Sequence, residues 1–476
     1  MRLEQTFLRP LTLLLALVTS SIPIGTAQAD EAAAPRPTPV TRPAMKQLLE
    51  GMKTRRERIP LPEPSAAEIR AAETDPTVLS YENRLRSLYL PGTELRGYLG
   101  FGGTAPKRPN APAPKVVIEP DPAVTLDYGF KTRLFWIASR VNNCQYCLGH
   151  QESKLLAVGM TDDDLAHLDT DWSVFPEREQ AAFAFARRLT LDPGSLKDAD
   201  IDRCLEHFTG EEVLEMALSV AGNNAINRWK EGIGVPQAGN GGNSGWAQTG
   251  VTGAHSYLTP TAEKFKSLAS AVAILTPDDA AQELVATEAS TELLSLAEMA
   301  RGIDAARART PRLPLIDEAA ARTLLGNLTT EGPLPAWMRL LANYPLAGPR
   351  MVKAFELTAA AAELTPIEQA HIHWTVARRN RAWYGLALAE SEMRALGATA
   401  ADLADLAGDQ SGLSAAERAV LAVADALAAS PVVCTDAQFQ EALDATSPAT
   451  LVSVVHEVAM QSLFDRFTEA AALTAP

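Results

Sequence analysis

Two stretches of the sequence, 238 residues apart, decide the fold. Residues 136–152 read WIASRVNNCQYCLGHQE, and residues 374–390 read WTVARRNRAWYGLALAE. Both stretches carry Trp, Arg, Asn, Tyr and Glu at matching positions, and the matches continue toward the C-terminus without a gap. They include Gly159 with Gly397, Glu179 with Glu417, Asp198 with Asp436, and Arg228 with Arg466. A single register kept over about a hundred residues indicates an internal duplication.

Both copies have a helical pattern. In copy one, Pro176 precedes the acidic stretch 177–179, which is a combination typical of a helix start. The residues that follow, 181–189, place alanine, phenylalanine and leucine on one broad face. Signals for β-strands are nearly absent from both copies. The sequence therefore predicts an all-α protein with two helical-bundle domains in tandem, at 126–235 and 346–476.

Each copy follows a segment that is rich in prolines. Residues 30–125 are predicted to be a linker and N-terminal arm, and residues 236–345 a Gly/Asn-rich linker and second arm. The motif RIPL at 58–61 resembles RLPL at 312–315, which suggests that the duplication includes the arms. We expect both arms to be irregular, and between about 255 and 345 we expect Ala/Leu/Glu-rich helical pieces that alternate with prolines.

The first 29 residues have the pattern of a secretory signal. Arg2 and Arg9 flank a polar start, the stretch from Leu11 to Val18 is a short apolar core, and small residues then lead to an A-x-A cleavage site that ends at Ala29. The apolar run is short for a bilayer span, so a retained membrane anchor is the alternative interpretation. We expect an exported protein, periplasmic or extracellular, with no membrane span once the signal is cleaved.

Composition limits the classes of function. With 476 residues the chain exceeds one ordinary core, and its net charge of −15 disfavours nucleic acid and anionic lipid as partners. Four cysteines in a chain of this size do not form a disulfide scaffold. Two of them, Cys144 and Cys147, are three residues apart.

The segment from Asn142 to His150 carries the predicted chemistry. On a helix, Cys144, Cys147 and His150 lie within about 120° of one face, so the two thiols can form a disulfide and the imidazole lies one turn further on. Asn142 and Asn143 suit an N-terminal cap, and the helix dipole would then stabilise a Cys144 thiolate. Such a thiolate attacks a peroxide or a disulfide, and the neighbouring thiol resolves the product.

The wording Asn-Asn-Cys-x-Tyr-Cys-x-x-His resembles the carboxymuconolactone decarboxylase/alkylhydroperoxidase D-like superfamily, over roughly 126–234 and more weakly from 365 to the C-terminus. The resemblance implies a helical bundle that assembles into homo-oligomers. It also implies that Cys144 and Cys147 are the redox pair of a peroxiredoxin-type enzyme, with His150 as acid–base partner. A hydroperoxide or disulfide would be the substrate and a thiol the reductant, with no cofactor and no metal.

Two positions depart from the best-understood peroxidases of that superfamily. Those proteins have a histidine four residues after the second cysteine and a glutamate about a dozen residues before the first, where this chain has Gln151 and Thr132. The proton relay is therefore altered, which fits either a slow peroxidase or a disulfide exchanger.

Copy two has lost every reactive group. Ala382, Gly385 and Leu388 stand where copy one has its two cysteines and its histidine. We therefore expect copy two to be structural or a partner surface. His371 and His373 lie two residues apart on its helix, so they are not expected to form a metal pair.

Four other interpretations of the motif stay open. The cysteines could form a static disulfide, or could bind zinc together with His150 and a ligand from elsewhere. The superfamily also includes lactone decarboxylases, which work with acid–base groups. Finally, both copies could form a non-catalytic exported assembly module.

Several other residues have both a functional and a structural interpretation. Cys204 and Cys434 are predicted to lie in apolar helical stretches, where buried inert thiols are expected. Asn223 and Asn224, together with Arg228, could line the site across a subunit boundary. The alternative is hydrogen bonding near a helix end, with a surface ion pair between Arg228 and Glu231.

Overall fold

A computed structural model describes residues 55, 57–91, 101, 119–235, 293–329, 331–361 and 363–476. The expected signal at 1–29 and the Gly/Asn-rich stretch at 236–292 lie outside these residues. Eighteen α-helices and no β-strand occur in the described part of the chain, which confirms the all-α prediction.

Copy one contains six helices. They are α3 (Tyr128–Val141), α4 (Gln145–Ala157), α5 (Asp162–Thr170), α6 (Glu177–Leu191), α7 (Asp198–Leu205) and α8 (Gly210–Ile233). Copy two begins with an additional helix, α12 (Ala347–Ala361), which is followed by six helices in the same order as those of copy one. They are α13 (Pro366–Asn380), α14 (Trp383–Ala395), α15 (Ala400–Ala407), α16 (Ala415–Ala428), α17 (Asp436–Ala445) and α18 (Pro448–Ala470). After a shift of 238, the helices of all six pairs begin at the same position.

Local chemistry explains why the helix starts repeat. Thr161 caps α5 by accepting a hydrogen bond from the Asp164 N–H, while the Asp164 carboxylate accepts one from the Thr161 N–H. Thr399 and Asp402 make the same reciprocal pair in front of α15. Each pair satisfies two N–H groups that a helix end leaves without partners, so the same residues start the same helix in both copies.

The first arm differs from the irregular structure that we expected, whereas the described part of the second arm has the expected helical pieces between prolines. The described part of the first arm contains α1 (Ala66–Thr74) and α2 (Tyr81–Tyr89). The second arm contains α9 (Leu296–Arg307), α10 (Glu318–Leu325) and α11 (Ala336–Leu341). Ser65 with Glu68 and Ser295 with Glu298 form capping boxes that start α1 and α9. The prolines lie at the ends of these short helices, where they do not prevent helix formation.

The two copies pack against each other along their longest helices, α8 and α18. A methyl group added to Gly232 on α8 would lie 2.5 Å from a methyl group of Val455 on α18, so the backbone of α8 approaches α18 closely. The buried apolar residues of both copies form one continuous cluster that includes Trp136 and Trp374. The boundaries 126–235 and 346–476 therefore mark repeats that share a core, and their independence as domains stays a prediction.

Two buried arginines join the copies reciprocally. Arg228 of copy one donates to the carbonyl oxygen of Ala428 at 2.9 Å, and Arg466 of copy two donates to that of Thr190 at 2.8 Å. The expected surface pair between Arg228 and Glu231 is wrong. Arg228 is fully buried, and Glu231 pairs with Arg55 of the first arm at 3.1 Å. A helical spacing alone does not reveal that a second copy covers this face.

The arms also cross between the copies. Arg58 of the first arm donates to Asp436 of copy two at 2.7 Å, and Arg312 of the second arm donates to Asp198 of copy one at 2.5 Å. Since Asp198 and Asp436 are equivalent positions, the two arms make the same contact in opposite directions. This geometry supports the resemblance between the two arm motifs.

Within the described residues, none of the helices combines the length and the apolar character that a bilayer crossing needs.

Candidate redox site

The turn between α3 and α4 places the first cysteine. Asn142 ends α3, and Asn143 has a φ of +55°, a left-handed conformation that asparagine tolerates. Cys144 is itself the N-cap of α4 and its N–H donates to the Ser139 carbonyl oxygen at 2.9 Å. The expected capping by Asn142 and Asn143 is therefore wrong: they close the end of α3, and α4 begins one residue later without a side-chain cap.

Cys144 and Cys147 form a disulfide across the first turn of α4, with their Cα atoms 5.3 Å apart. The N-cap position of Cys144 brings its side chain back over the turn, where Cys147 lies. Both residues are buried: Cys144 is 0% exposed and Cys147 is 4% exposed. Cys147 is the member of the pair with some contact with solvent.

His150 lies on the solvent side of α4. Its ring is half-buried, and its centroid lies 4.4 Å from that of Tyr146, which is the residue between the cysteines that faces outward. Tyr146 and His150 are one helical turn apart. Tyr146 directly precedes Cys147, and His150 follows Cys147 by three residues, which is about one turn on the same helix. The structure therefore places His150 beside Tyr146 on the partly exposed side of α4.

A network of neutral side chains lies behind the disulfide. The Gln151 amide lies 2.9 Å from Oδ1 of Asn223 and within 3.0 Å of the Ser139 hydroxyl, and one amide position is 3.2 Å from the Cys147 carbonyl oxygen. Asn223 and Asn227 each donate to the Ser139 hydroxyl at 3.0 Å. None of these side chains ionises near neutral pH. This network of amides and a hydroxyl reaches Cys147 through the Gln151 amide, which lies next to the Cys147 carbonyl oxygen.

Asn223 and Asn224 belong to the interior of copy one. Asn223 is 4% exposed and Asn224 is fully buried. Asn224 accepts hydrogen bonds from Asn142 at 2.8 Å and from Arg228 at 3.0 Å, and Arg228 continues to copy two. Because they are buried within one chain, these residues do not line a site between separate subunits, which was their functional interpretation. They connect the cysteine turn to the second copy of the same chain.

The first arm supplies a charged group that sequence reasoning missed. Glu82 on α2 forms an ion pair with Lys230 on α8, and it accepts hydrogen bonds from Trp229 at 2.8 Å and from Arg86 at 2.6 Å. The Lys230 ammonium in turn lies 4.8 Å from the centre of the Tyr146 ring. Burial by itself would raise the pKa of Glu82, but Lys230 and Arg86 outweigh it and lower the pKa to about 2.

A comparison of the two copies in the sequence could have pointed to this cluster. Copy two has Thr468 in place of Lys230 and Phe467 in place of Trp229. The copy that lacks the cysteines thus also lacks the cation over the tyrosine. Lys230 occurs together with the cysteine pair, and we include it in the candidate site.

Replacement of Lys230 by methionine removes the cation from the ring of Tyr146, the residue before Cys147, and leaves Glu82 with Arg86 as its remaining cation. Both changes loosen the surroundings of the disulfide turn, so we expect the disulfide to become easier to attack. A cation–π contact contributes about 1 kcal/mol, so we expect the rate of reduction by a small phosphine to rise roughly fivefold. Arg309→Met is a matched control, because it breaks an arm–helix ion pair with Glu469 far from any disulfide. Equal rates in the wild type and Lys230→Met would contradict the prediction.

The equivalent turn of copy two leaves no room for a redox pair. A Cβ atom added to Gly385 would collide with Oδ1 of Asp465. Asp465 accepts hydrogen bonds from Asn380 at 2.8 Å and from Gln461 at 2.6 Å, and burial raises its pKa to about 7. The Tyr384 ring packs against Phe464 in the interior, at 5.9 Å between centroids.

His371 and His373 have separate environments, as expected. His373 lies 3.0 Å from Glu457 and 3.7 Å from Glu392, through opposite ring nitrogens. Burial lowers the pKa of His371. Among the described residues, no group of three or more His, Cys, Asp or Glu side chains is placed to hold a metal ion.

The remaining cysteines are buried and unpaired with each other. Burial raises the pKa of Cys204 to about 12 and also raises that of Cys434. Cys434 lies in the loop between α16 and α17 and not in a helix, which corrects the expectation for that residue. High thiol pKa values disfavour the thiolate near neutral pH, which agrees with the expectation of buried thiols of low reactivity.

No family model matches the chain, and no curated protein matches it.

Proposed function

We propose that this chain is a thiol oxidoreductase of alkylhydroperoxidase type whose working pair is Cys144 and Cys147. The observation that carries the proposal is the disulfide at the N-terminus of α4, with Cys144 as the N-cap. After reduction, a Cys144 thiolate at this position faces the positive end of the helix dipole, which lowers a thiol pKa. The resemblance of the motif to the alkylhydroperoxidase D-like superfamily points to the same pair.

The exposure of the cysteines suggests which sulfur meets the substrate. Cys147 has 4% exposure and Cys144 has none, so an external thiolate attacks the Cys147 sulfur. The bond to Cys144 breaks, and Cys144 leaves as a thiolate at the helix terminus, where it is stabilised. A second thiol of the reductant then attacks the mixed disulfide, which releases Cys147 and an oxidised reductant.

In the reverse half of the cycle, the Cys147 thiolate attacks the substrate. With a protein disulfide, one substrate thiolate leaves and Cys144 displaces the other. With a hydroperoxide, a sulfur–oxygen bond forms, the oxygen–oxygen bond breaks, and the alcohol leaves with a proton. Cys144 then attacks the sulfenate, so that water leaves and the disulfide re-forms. In sum, one hydroperoxide and one dithiol give an alcohol, water and a disulfide.

The proton supply favours disulfide exchange over fast peroxide turnover. The network behind Cys147 consists of Gln151, Ser139 and Asn223, which neither give up nor take a proton near neutral pH. A leaving alkoxide needs a proton at once, whereas a leaving thiolate does not. His150, on the solvent side of the helix, is the proposed acid–base group for the peroxide reaction.

A second candidate is a non-catalytic module with a static disulfide. The observation that favours it is the complete burial of Cys144. A static bond has a strongly reducing potential and resists dithiols in the folded protein, whereas a working pair is reduced and re-formed readily. Self-assembly into a homo-oligomer is a further proposal and is compatible with both candidates.

The test compares Cys144→Ser and Cys147→Ser with the wild type in the consumption of a hydroperoxide and of a small disulfide, with a dithiol as reductant. We expect both variants to fall to the uncatalysed background. Cys204→Ser and Cys434→Ser are matched controls that keep wild-type rates. Full activity in both site variants, or a wild-type disulfide that resists dithiols in the folded state, contradicts the proposal and favours the static module.

A further inference from the structure

A loop of copy two reaches the turn that precedes Cys144. The loop joins α16 to α17, and its Ser430 hydroxyl donates a hydrogen bond to Oδ1 of Asn142 at 2.8 Å. Two residues later, the N–H of Val432 donates to the Asn142 carbonyl oxygen at 3.2 Å. Asn142 is the last residue before the left-handed Asn143 and the N-cap Cys144. The second copy therefore holds the residue that directs the chain into the disulfide turn.

The other side of Asn142 is held from within copy one. Its Nδ2 donates to Asn224 at 2.8 Å and to Asn227 at 2.9 Å. Asn142 is fully buried, so these bonds and those from copy two occupy its side-chain oxygen, its side-chain nitrogen and its carbonyl. A buried amide with every group occupied has one favourable orientation, because any rotation leaves a polar atom without a partner.

The Ser430 side chain is held in place by a hydrogen bond from a charged group, the guanidinium of Arg228. Its hydroxyl accepts a hydrogen bond from Arg228 at 2.9 Å, and its proton has two acceptors in reach, Oδ1 of Asn142 at 2.8 Å and the Thr190 carbonyl oxygen at 3.1 Å, of which Asn142 is the nearer. Ser430 is 8% exposed and Arg228 is fully buried. A bond from a charged donor is stronger than one between neutral groups. Arg228, Ser430 and Asn142 thus form a continuous chain of hydrogen bonds from the interface between the copies to the cysteine turn.

The hydrogen bond from Ser430 to Asn142 supports the copy that has the cysteines. In the reverse direction, the residue of copy one that is equivalent to Ser430 is Asp192. Its carboxylate lies 3.9 Å from Arg381 and does not bond to Asn380, the counterpart of Asn142. Asn380 bonds instead to Asp465 of its own copy. The interface is symmetric in its buried arginines but asymmetric at this contact.

We propose that copy two is a built-in positioning subunit for the redox site of copy one, and that Ser430 is its positioning residue. The inference rests on the proposed function of the Cys144–Cys147 pair. It also gives the second copy a role after the loss of its own reactive groups. Ser430 acts through Asn142, because a fixed turn keeps the Cys144 sulfur over Cys147 and raises the effective concentration of one thiol at the other.

The experiment measures the disulfide in the full chain. For Ser430→Ala, Ser430→Thr and Asp192→Ala we would determine the equilibrium with a dithiol buffer, the rate of reduction by a phosphine, and the melting temperature. Ser430→Ala is expected to make the pair about tenfold easier to reduce, which is a change of about 30 mV. Ser430→Thr keeps the hydroxyl and should return both values toward the wild type. Asp192→Ala alters the equivalent contact on the other side and should leave both unchanged.

The outcomes separate positioning from stability. If Ser430→Ala changes only the melting temperature, or if Asp192→Ala shifts the disulfide equilibrium equally, the positioning role is wrong. The phosphine rate and the equilibrium do not require turnover. A wild type without turnover, combined with a shifted equilibrium in Ser430→Ala, therefore rejects the proposed function and keeps the positioning role. Turnover without such a shift does the opposite.

Discussion

Replacement of Lys131 by methionine is expected to lower the free energy of unfolding by about 3 to 5 kcal/mol. Lys131 and Glu215 are both fully buried, and their charged atoms are 2.5 Å apart. Burial lowers the pKa of Lys131, and Glu215 opposes that effect. Without the ammonium, the Glu215 carboxylate stays in the interior with only the N–H groups of Thr125 and Leu126 as hydrogen-bond donors. An uncompensated buried charge is costly, so most of the loss comes from the residue that remains.

Copy two provides the matched control for this prediction. It has Gln369 in place of Lys131 and Ser453 in place of Glu215. The Ser453 hydroxyl accepts a hydrogen bond from the Glu363 N–H, the counterpart of the bond from Thr125 to Glu215. A double variant of copy one, Lys131→Gln with Glu215→Ser, should therefore recover most of the stability that a single Lys131 replacement loses.

Chemical denaturation of the single and double variants measures the effect. A loss below about 1 kcal/mol in Lys131→Met, which is the size typical of a surface ion pair, would contradict the prediction. A double variant less stable than the single one would show that the pair itself, and not the unpaired charge, supplies the stability.

Stability should fall steeply in alkali because of His373. Burial alone would lower the pKa of this histidine, but hydrogen bonds and negative charge from Glu392 and Glu457 raise it to about 10, from an ordinary 6.5. The folded protein therefore holds a proton that the unfolded chain releases. The resulting stability is fully present below about pH 6.5 and is lost as the pH rises through 10. Each pH unit in that interval corresponds to about 1.4 kcal/mol, and the His373 side chain is 24% exposed, so we expect a loss of about 4 kcal/mol.

His373→Gln tests the cause, because glutamine occupies similar space but carries no proton to lose. The variant should be less stable than the wild type at about pH 6, and the two should converge at about pH 11. His371→Gln, two residues away, is the control and should keep the alkaline loss. A difference between wild type and His373→Gln that stays constant across this range would contradict the assignment.

The features that sequence could predict are those that neighbouring residues determine. A capping pair such as Thr161 with Asp164 starts a helix within one turn, so the helices of both copies follow from residues three or four apart. The same reasoning gave the disulfide, since Cys144 and Cys147 need only one turn at a helix start. It also gave the loss of the pair in copy two.

The features that could not be predicted depend on distant parts of the chain. Glu82 meets Lys230 across 148 residues, and Ser430 meets Asn142 across 288. No local pattern encodes such contacts, because they depend on how one copy packs on the other. The Asn142–Asn143 pair was misassigned for a subtler reason: asparagine suits both an N-cap and a left-handed turn, and here it takes the second role.

The arm that precedes copy one is bound by a residue of copy two that lies far away in the sequence. Arg58 bonds to Asp436, 378 positions later. Because synthesis starts at the N-terminus, this bond cannot form until synthesis has passed residue 436. Until then the first arm lacks its contact with copy two, and a chain truncated before residue 436 cannot form the ion pair between Arg58 and Asp436.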